Sequence, residues 1–306
     1  MMSQPRTLVI GEALVDIVDE PGHERVEHVG GSPANVAVGL ARLQVPVRFA
    51  SAIGSDERGT RIQEHLHRHG VALTPQSVTA HPTSTALVSF DADRNATYTF
   101  DLHWDLADIP VDDGITHVHT GSIATILPPG ADRCRDALIA HRDQATLSYD
   151  PNIRPGIMGD LDEVRRQVND LVPLFDVVKA SADDLDLLHP GRPISDTVQE
   201  WLTLGPALMV ITRGGSGVAY RTVTGELHTA PAPATTVVDT VGAGDSFMAG
   251  LLSGLLDLGL IGGPSARAAL RAATSADVRP AIERGLATSA VTVGRAGAYA
   301  PSPEDL

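Results

Sequence analysis

Short runs of apolar, often β-branched residues alternate along the chain with longer stretches whose apolar residues recur three or four positions apart. The first pattern predicts buried strands and the second predicts amphipathic helices. Strands are expected at residues 7–10, 47–53, 115–119, 146–150, 176–179 and 207–212, and helices around 61–70, 130–142, 160–172 and 181–203. The repeated strand–helix units indicate an α/β fold with a mostly parallel central sheet and helices on both faces.

One segment departs from this alternation. Residues 85–90 and 97–100 alternate apolar and polar positions on either side of the turn-rich residues 91–95, which predicts a hairpin. It is the best candidate for a small second element such as a lid. Earlier in the chain, residues 30–35 predict a turn that enters a helix, with Ser32 as N-cap and Pro33 at the first helical position.

The polar residues at the ends of the predicted strands indicate where a ligand would bind. Ligands of open α/β sheets gather at the carboxyl ends of the strands. Glu12 and Asp16 follow the first strand among apolar neighbours. Two carboxylates in that position are costly unless they hold a polar group.

A second polar cluster lies near the C-terminus. The β-branched run at residues 235–238 predicts a strand that stops at Asp239. A tight turn of small residues follows, and then a helix: Gly242, Ala243 and Gly244, with Asp245 in the first helical turn. Bare N–H groups at a helix start attract anions. Asp245 either faces a hydroxyl that loses its proton beside a phosphoryl group, or only complements the helix dipole.

Composition narrows the class of protein. With 306 residues, 42% of them hydrophobic, the chain can bury a sizeable core. Its net charge of −15 argues against a nucleic-acid partner, and no run approaches the ~18 apolar residues of a membrane span.

Cys134 is the only cysteine, which excludes an intrachain disulfide and favours a reducing, cytoplasmic compartment. Lys179 is the only lysine, which we interpret mainly as compositional bias. P-loop, dinucleotide-binding and protein-kinase motifs are absent.

Two stretches together resemble a known family. Residues 239–245, Asp-Thr-Val-Gly-Ala-Gly-Asp, resemble the C-terminal signature of the ribokinase-like (PfkB) carbohydrate kinases, and residues 30–37 resemble the N-terminal signature. Residues 11–16 and 150–154 are similar to the bacterial fructokinase branch. The resemblance implies one ribokinase-like domain over residues 1–306. Its expected architecture is a three-layer α/β/α sandwich with a mostly parallel sheet and a small β lid from about 12–29 and 84–110.

The resemblance also implies roles for the acceptor side. Asp245 would be the general base for a primary hydroxyl of the sugar. The backbone N–H groups of Gly242, Ala243 and Gly244 would form the anion hole for the transferring phosphoryl group. Four further residues would contact the sugar, or in the last case a phosphate: Asp16, Gly31, Asn35 and Arg154. The alternatives are a local helix cap for Asn35 and a surface arginine for Arg154.

On the nucleotide side, the resemblance places Thr212, Gly214 and Gly217 in the loop that binds ATP. Asp184, with Ser181, replaces the family's usual glutamate and asparagine, and would hold Mg²⁺ through a water. A potassium site would be formed by two loops: Asp239 and Val241 in one, Arg295 and Gly297 in the other. Pro301 stands where relatives can have a serine, a departure that bears on this cation site.

The function implied is an ATP- and Mg²⁺-dependent sugar kinase, with fructose as the leading acceptor. 2-Keto-3-deoxygluconate kinase is the first alternative, because the same motifs occur there, and ribokinase follows it. A non-catalytic sugar or nucleotide sensor is the alternative of a different class. In relatives the hairpin over the sugar often also makes a dimer contact, so a homodimer through the lid is the assembly to examine.

Overall fold

A computed structural model of the chain describes residues 6–20, 22–90 and 96–306. The predicted turn at residues 91–95, which includes Arg94, lies outside these ranges. The described ranges form fifteen strands, listed in chain order: β1 (Arg6–Ile10), β2 (Leu14–Asp19), β3 (Val26–Gly30), β4 (Val47–Ala50), β5 (Ile53–Gly54), β6 (Ala72–Leu73), β7 (Val78–Thr79), β8 (Thr85–Phe90), β9 (Ala96–Asp101), β10 (Ile115–Gly121), β11 (Thr146–Asp150), β12 (Val177–Ser181), β13 (Leu208–Thr212), β14 (Val218–Thr222) and β15 (His228–Ala230).

The same ranges form ten α-helices: α1 (Ser32–Arg42), α2 (Glu57–Arg68), α3 (Gly130–His141), α4 (Pro155–Met158), α5 (Leu161–Leu171), α6 (Ala182–Leu188), α7 (Ile194–Leu204), α8 (Ala243–Asp257), α9 (Pro264–Ala272) and α10 (Ser275–Val293). In the described part of the chain, none of these helices is both long and apolar enough to cross a membrane.

The central sheet has nine strands in the order β15-β14-β13-β12-β11-β10-β1-β4-β6. The pairs from β13 to β6 are parallel, and β14 and β15 add an antiparallel edge. One apolar core packs α1, α2, α8, α9 and α10 against one face, and a second packs α3, α5, α6 and α7 against the other. The predicted α/β sandwich with a mostly parallel sheet is therefore confirmed.

A separate sheet of four strands has the order β3-β2-β8-β9. The predicted hairpin is present in it as the antiparallel pair β8 and β9, and β2 runs parallel to β8. Glu27 of β3 ties this sheet to α2: one carboxylate oxygen accepts from Arg58 Nη2 at 2.7 Å and the other from Arg61 Nη1 at 2.8 Å. We call these four strands the small sheet.

Three of the predicted elements differ in the structure. The strand expected at 235–238 is wrong: this segment belongs to no sheet, and Val237 and Val238 are 62% and 61% exposed. The stretch at 181–203 is two helices, α6 and α7, because Gly191 adopts a positive φ and Pro193 precedes the second helix. The strand at 47–53 divides into β4 and β5, which belong to different sheets.

Candidate active site

Five neighbouring parallel strands end at one edge of the central sheet, and each delivers a polar group there. From β13 to β1 these groups are Thr212, Lys179 with Ser181, Asp150, Ser122 and Glu12. The register aligns the strand ends, since Ser181 pairs with Thr212 and Gly121 pairs with Asp150. The carboxyl-end location of the predicted site follows from this alignment.

Asp245 lies in the first turn of α8 and is half-buried. Its two carboxylate oxygens each accept a hydrogen bond from α1: Ser32 Oγ donates at 2.6 Å and Asn35 Nδ2 donates at 2.8 Å. The carboxylate is therefore held in one orientation by residues more than 200 positions away in the chain. A carboxylate fixed in this way is held in position to accept a proton from a neighbouring hydroxyl.

Gly242 makes the start of α8 possible. It is the N-cap, with φ 74° and ψ 2°, in the left-handed region that favours glycine. A Cβ at this position would also lie 2.6 Å from the Cβ of Ala298. Ala243 N donates to Thr240 O at 3.2 Å, and Gly244 N follows it in the first turn of a helix of fifteen residues. Such a turn stabilises an anion through its N–H groups and the helix dipole.

The start of α1 corrects one prediction. Gly31, rather than Ser32, is the N-cap, so Pro33 is the second helical residue rather than the first. Ser32 is the first helical residue, and its hydroxyl donates to Asp245. Gly31 has φ 107°, and a Cβ there would lie 2.5 Å from the Glu12 carbonyl oxygen, so the backbone passes directly over Glu12, two residues after β1.

The four residues predicted to contact the acceptor lie near the start of α1 or near Glu12. Gly31 and Asn35 belong to the start of α1. Asp16 is exposed on β2, and its carboxylate lies against Gly30. Arg154 is exposed, and its charge acts on the Glu12 carboxyl group. Asp16, Gly31 and Asn35 thus lie at or beside the start of α1, and Arg154 lies near Glu12.

Glu12 is a buried carboxyl group beside Asp245. The residue is 5% exposed, and its Oε2 has no hydrogen-bond partner within the described residues. Burial raises the pKa of Glu12 from its ordinary 4.5 to about 8, and the negative charge of Asp245 adds to the effect. A hydrogen bond with Ser122 and the charge of Arg154 lower the pKa only in part. At neutral pH Glu12 is therefore protonated, which keeps a second negative charge away from Asp245.

Lys179 and Asp150 form a buried ion pair at the ends of β12 and β11. Their side chains are 4% and 2% exposed, and Nζ donates to Oδ2 at 2.7 Å. Burial raises the pKa of Asp150 to about 6, and the positive charge of Lys179 lowers it only in part. Both groups are therefore charged at pH 7.

The predicted nucleotide residues line one cavity. It has a volume of about 460 Å³, and Thr212, Gly214 and Gly217 form one wall. Ala243 and Gly244 of α8 line the same cavity, together with apolar residues of α10 such as Leu286 and Val293. The cavity therefore connects an apolar slot with the helix start that carries Asp245.

Comparison with known proteins identifies the family. The sequence pattern described as pfkB family carbohydrate kinase matches residues 4–305. The chain belongs to the pfkB family of carbohydrate kinases. It is similar to a fructokinase of Escherichia coli, with 34% identity over 82% of this chain and 85% of that protein. It is also similar to the aminoimidazole riboside kinase of Salmonella typhimurium, with 30% identity over 82% and 81% of the two chains.

A solved structure with the same fold is a fructokinase double mutant of Vibrio cholerae, bound to fructose, ADP and a potassium ion. The two folds superpose with a TM-score of 0.79 over 99% of this chain and 97% of that one, at 26% identity. As a pfkB kinase, this chain is a sugar kinase.

Asp184 has a structural task in this pfkB kinase that the sequence does not reveal. It is buried, and its Oδ2 accepts from Ser181 N in a capping box at the start of α6. Its Oδ1 accepts from Ile153 N at 2.7 Å. Both oxygens therefore already hold backbone groups, and only their remaining lone pairs can accept from a metal-bound water. The predicted magnesium contact stays a prediction.

The two loops of the predicted potassium site are joined by one side chain. Asp239 accepts from Val241 N at 3.0 Å and from Gly297 N at 2.8 Å, and these hydrogen bonds hold its pKa below the usual value. Arg295 is engaged differently: its guanidinium lies 4.4 Å from the ring centroid of Tyr299 and 3.6 Å from Asp305. Asp239 therefore connects the two loops, while Arg295 is directed towards Tyr299 and Asp305, and the potassium site stays a prediction.

Three residues of the site were missed or left without a role by the sequence interpretation. Ser32 was predicted as a helix cap and orients Asp245 instead. Lys179 was attributed to composition and is a buried cation. The position of Glu12 among apolar residues was predicted to be energetically costly. Its protonated state, however, depends on burial, which the sequence does not show.

Proposed function

We propose that this pfkB kinase is an ATP-dependent fructokinase, which transfers the γ-phosphoryl group of Mg²⁺-ATP to a primary hydroxyl of fructose. The observation that carries the proposal is the Asp245 carboxylate, held by Ser32 and Asn35 at the N-terminal turn of α8. A base and an anion-binding turn on adjacent residues are what an in-line transfer to a hydroxyl requires.

In this proposal Asp245 is the general base. The sugar oxygen forms a bond to the γ-phosphorus while the bond from that phosphorus to the β–γ bridging oxygen breaks, and ADP leaves. The hydroxyl proton passes to Asp245. The N–H groups of Gly242, Ala243 and Gly244 would stabilise the charge on the transferring group, which would lie at the positive end of α8.

The acceptor would bind between α1 and the small sheet. Asp16 would bridge two sugar hydroxyls, the Asn35 amide would donate and accept, and Gly31 would allow the sugar to approach the backbone. Arg154 would contact the sugar or the phosphoryl group from the open side. The small sheet would be the lid, held to the rest of the protein through Glu27. A homodimer formed through this lid stays a prediction.

The nucleotide would occupy the cavity behind α8. Its apolar slot suits the base of ATP, and Thr212, Gly214 and Gly217 would lie along the phosphates. A bound Mg²⁺ would neutralise phosphate charge and orient the γ-phosphoryl group for transfer. Asp184 would reach that ion through a water, with the lone pairs that remain after its two oxygens accept backbone N–H groups.

A potassium ion would bind where Asp239 joins the loops of Val241 and Gly297. Carbonyl oxygens of such loops are suitable ligands for a hard cation. Support comes from the Vibrio cholerae fructokinase, whose structure contains a potassium ion. Arg295 would position its loop by stacking on Tyr299.

The choice of fructose rests on similarity to fructokinases, and a substrate screen tests it. ADP release would be measured with fructose, ribose, 2-keto-3-deoxygluconate, tagatose and aminoimidazole riboside. Fructose should give the highest kcat/KM. A higher value for another acceptor would reassign the substrate. Saturable ATP binding without turnover of any acceptor would instead favour a sensor and would refute the kinase proposal.

The base has its own test. Asp245→Asn should lower kcat by about 10³-fold while sugar affinity changes little, because the amide keeps the shape and cannot take the proton. Asp257→Asn, at the far end of α8 and 65% exposed, is the matched control and should leave kcat unchanged. An Asp245→Asn enzyme within about tenfold of wild type would remove Asp245 from this role.

A further inference from the structure

The only lysine of the chain lies next to the proposed transfer site. Lys179 is on β12, and its side chain is 4% exposed. Lysine is almost never buried without a partner, because the ammonium group loses its hydration. Its partner here is Asp150, at 2.7 Å. The pair is informative about function because of where it lies, next to the proposed transfer site.

The Lys179 ammonium lies against the first turn of α8. A Cβ built at Gly244 would be 3.2 Å from Nζ, so the absence of a side chain at Gly244 leaves room for the ammonium. Gly244 contributes one of the N–H groups proposed to bind the transferring phosphoryl group, and the proposed base Asp245 follows directly. Lys179 is therefore close to the start of α8, at the edge of the site.

The surrounding carboxylates keep Lys179 charged. Burial alone would lower the pKa of the ammonium group, but Asp150, Asp184 and Asp245 raise it above its ordinary value. Asp150 has a second oxygen, Oδ1, that is buried and without a hydrogen-bond partner within the described residues. One lysine thus faces three carboxylates at the place where a polyphosphate would arrive, and a polyphosphate adds further negative charge.

We propose that the ammonium of Lys179 is the fixed cation of the phosphoryl-transfer site, and that Asp150 holds it in place beside Gly244. The inference rests on the proposed function. Lys179 stays protonated throughout the step, in which the acceptor proton goes to Asp245 and ADP leaves. Its charge offsets the repulsion between Asp245 and the incoming phosphates, and it stabilises charge on the transferring group. The competing interpretation is an ion pair that only stabilises the fold.

A pair of variants separates the two interpretations. Lys179→Met removes the charge and leaves Asp150 buried without its cation, so both the melting temperature and kcat should fall, the latter by about 100-fold or more. The double variant Lys179→Met with Asp150→Asn removes both charges and should recover the melting temperature while kcat remains low. Recovery of kcat in the double variant to within about threefold of wild type would overturn the proposal.

If the double variant does not fold by circular dichroism, Lys179→Arg replaces it. This variant keeps the charge and should retain at least about tenfold more kcat than Lys179→Met. Equal losses in the two variants would count against a role for the charge.

Nucleotide affinity gives a readout that does not depend on turnover. By calorimetry without sugar, Lys179→Met should weaken ATP binding by about tenfold and leave ADP binding nearly unchanged, because only ATP carries the γ-phosphoryl group. Equal effects on ATP and ADP would refute the proposal. A wild-type enzyme that turns over no acceptor would refute the proposed function alone, and the ATP–ADP comparison would still test Lys179.

Discussion

The buried carboxyl group of Glu12 should make the protein less stable as the pH rises towards 8. Its pKa is about 8 in the folded protein and 4.5 ordinarily. Below 4.5 the group is protonated in both the folded and the unfolded chain, and its contribution to stability is fully present. Between 4.5 and about 8 only the unfolded chain releases the proton, so the free energy of unfolding falls with pH. Above about 8 the loss is complete.

The size of this loss follows from the two pKa values. Each pH unit in the interval corresponds to about 1.4 kcal/mol, so the interval from 4.5 to about 8 corresponds to at most about 5 kcal/mol. That is a large part of the ~5–15 kcal/mol by which a typical domain is stable. Glu12→Gln should remove the loss, because glutamine has a similar shape and no proton to release. The free energy of unfolding of the variant, relative to that of wild type, should therefore increase steadily from pH 5 to pH 8.

Urea denaturation of both proteins at intervals from pH 4.5 to pH 9 measures this difference directly. Subtracting the two free energies of unfolding isolates Glu12 from other groups that titrate in the range, apart from its neighbours Asp245 and Arg154. Glu64→Gln removes an exposed glutamate from α2 and is the matched control. A difference between wild type and Glu12→Gln that stays flat across the range would refute the assignment of a buried, protonated carboxyl group at Glu12.

Two further predictions concern the loops around α8. Gly242→Ala should lower kcat/KM by at least about tenfold, because its Cβ would meet Ala298 and move the anion-binding turn. Gly70→Ala, also at a positive φ but in open space, should cost only about 1 kcal/mol of stability, and equal kinetic effects in the two variants would contradict the geometry. Replacing potassium by sodium should lower wild-type kcat, and Asp239→Asn should raise the potassium concentration needed for half-maximal activity, since it weakens the tie to Gly297. Equal wild-type activity in both salts would remove the cation from the proposal.

The outline of the fold could be predicted because each central strand is a local apolar run bounded by polar residues or glycine. The strand predicted at 146–150 coincides with β11 for this reason. The same criterion failed at 235–238, where β-branched residues were interpreted as a strand. Val238 N donates to Val293 O at the end of α10, and Val237 is 62% exposed. β-Branched composition favours an extended backbone, but whether a neighbouring strand is available to pair with it depends on the tertiary structure.

The site shows the same division between local and tertiary information. Gly242 and Gly31 could be identified in advance, because a tight turn into a helix requires glycine at a particular place in the sequence. Ser32 was misassigned since its hydroxyl can either accept from a backbone N–H of its own helix, as a cap does, or donate to Asp245, which is 213 positions away. Lys179 and Glu12 owe their properties to burial beside other charged groups, and burial arises only when the strand ends meet. The protonated state of Glu12 and the retained charge of Lys179 therefore belong to the assembled sheet edge, where each limits the negative charge around Asp245.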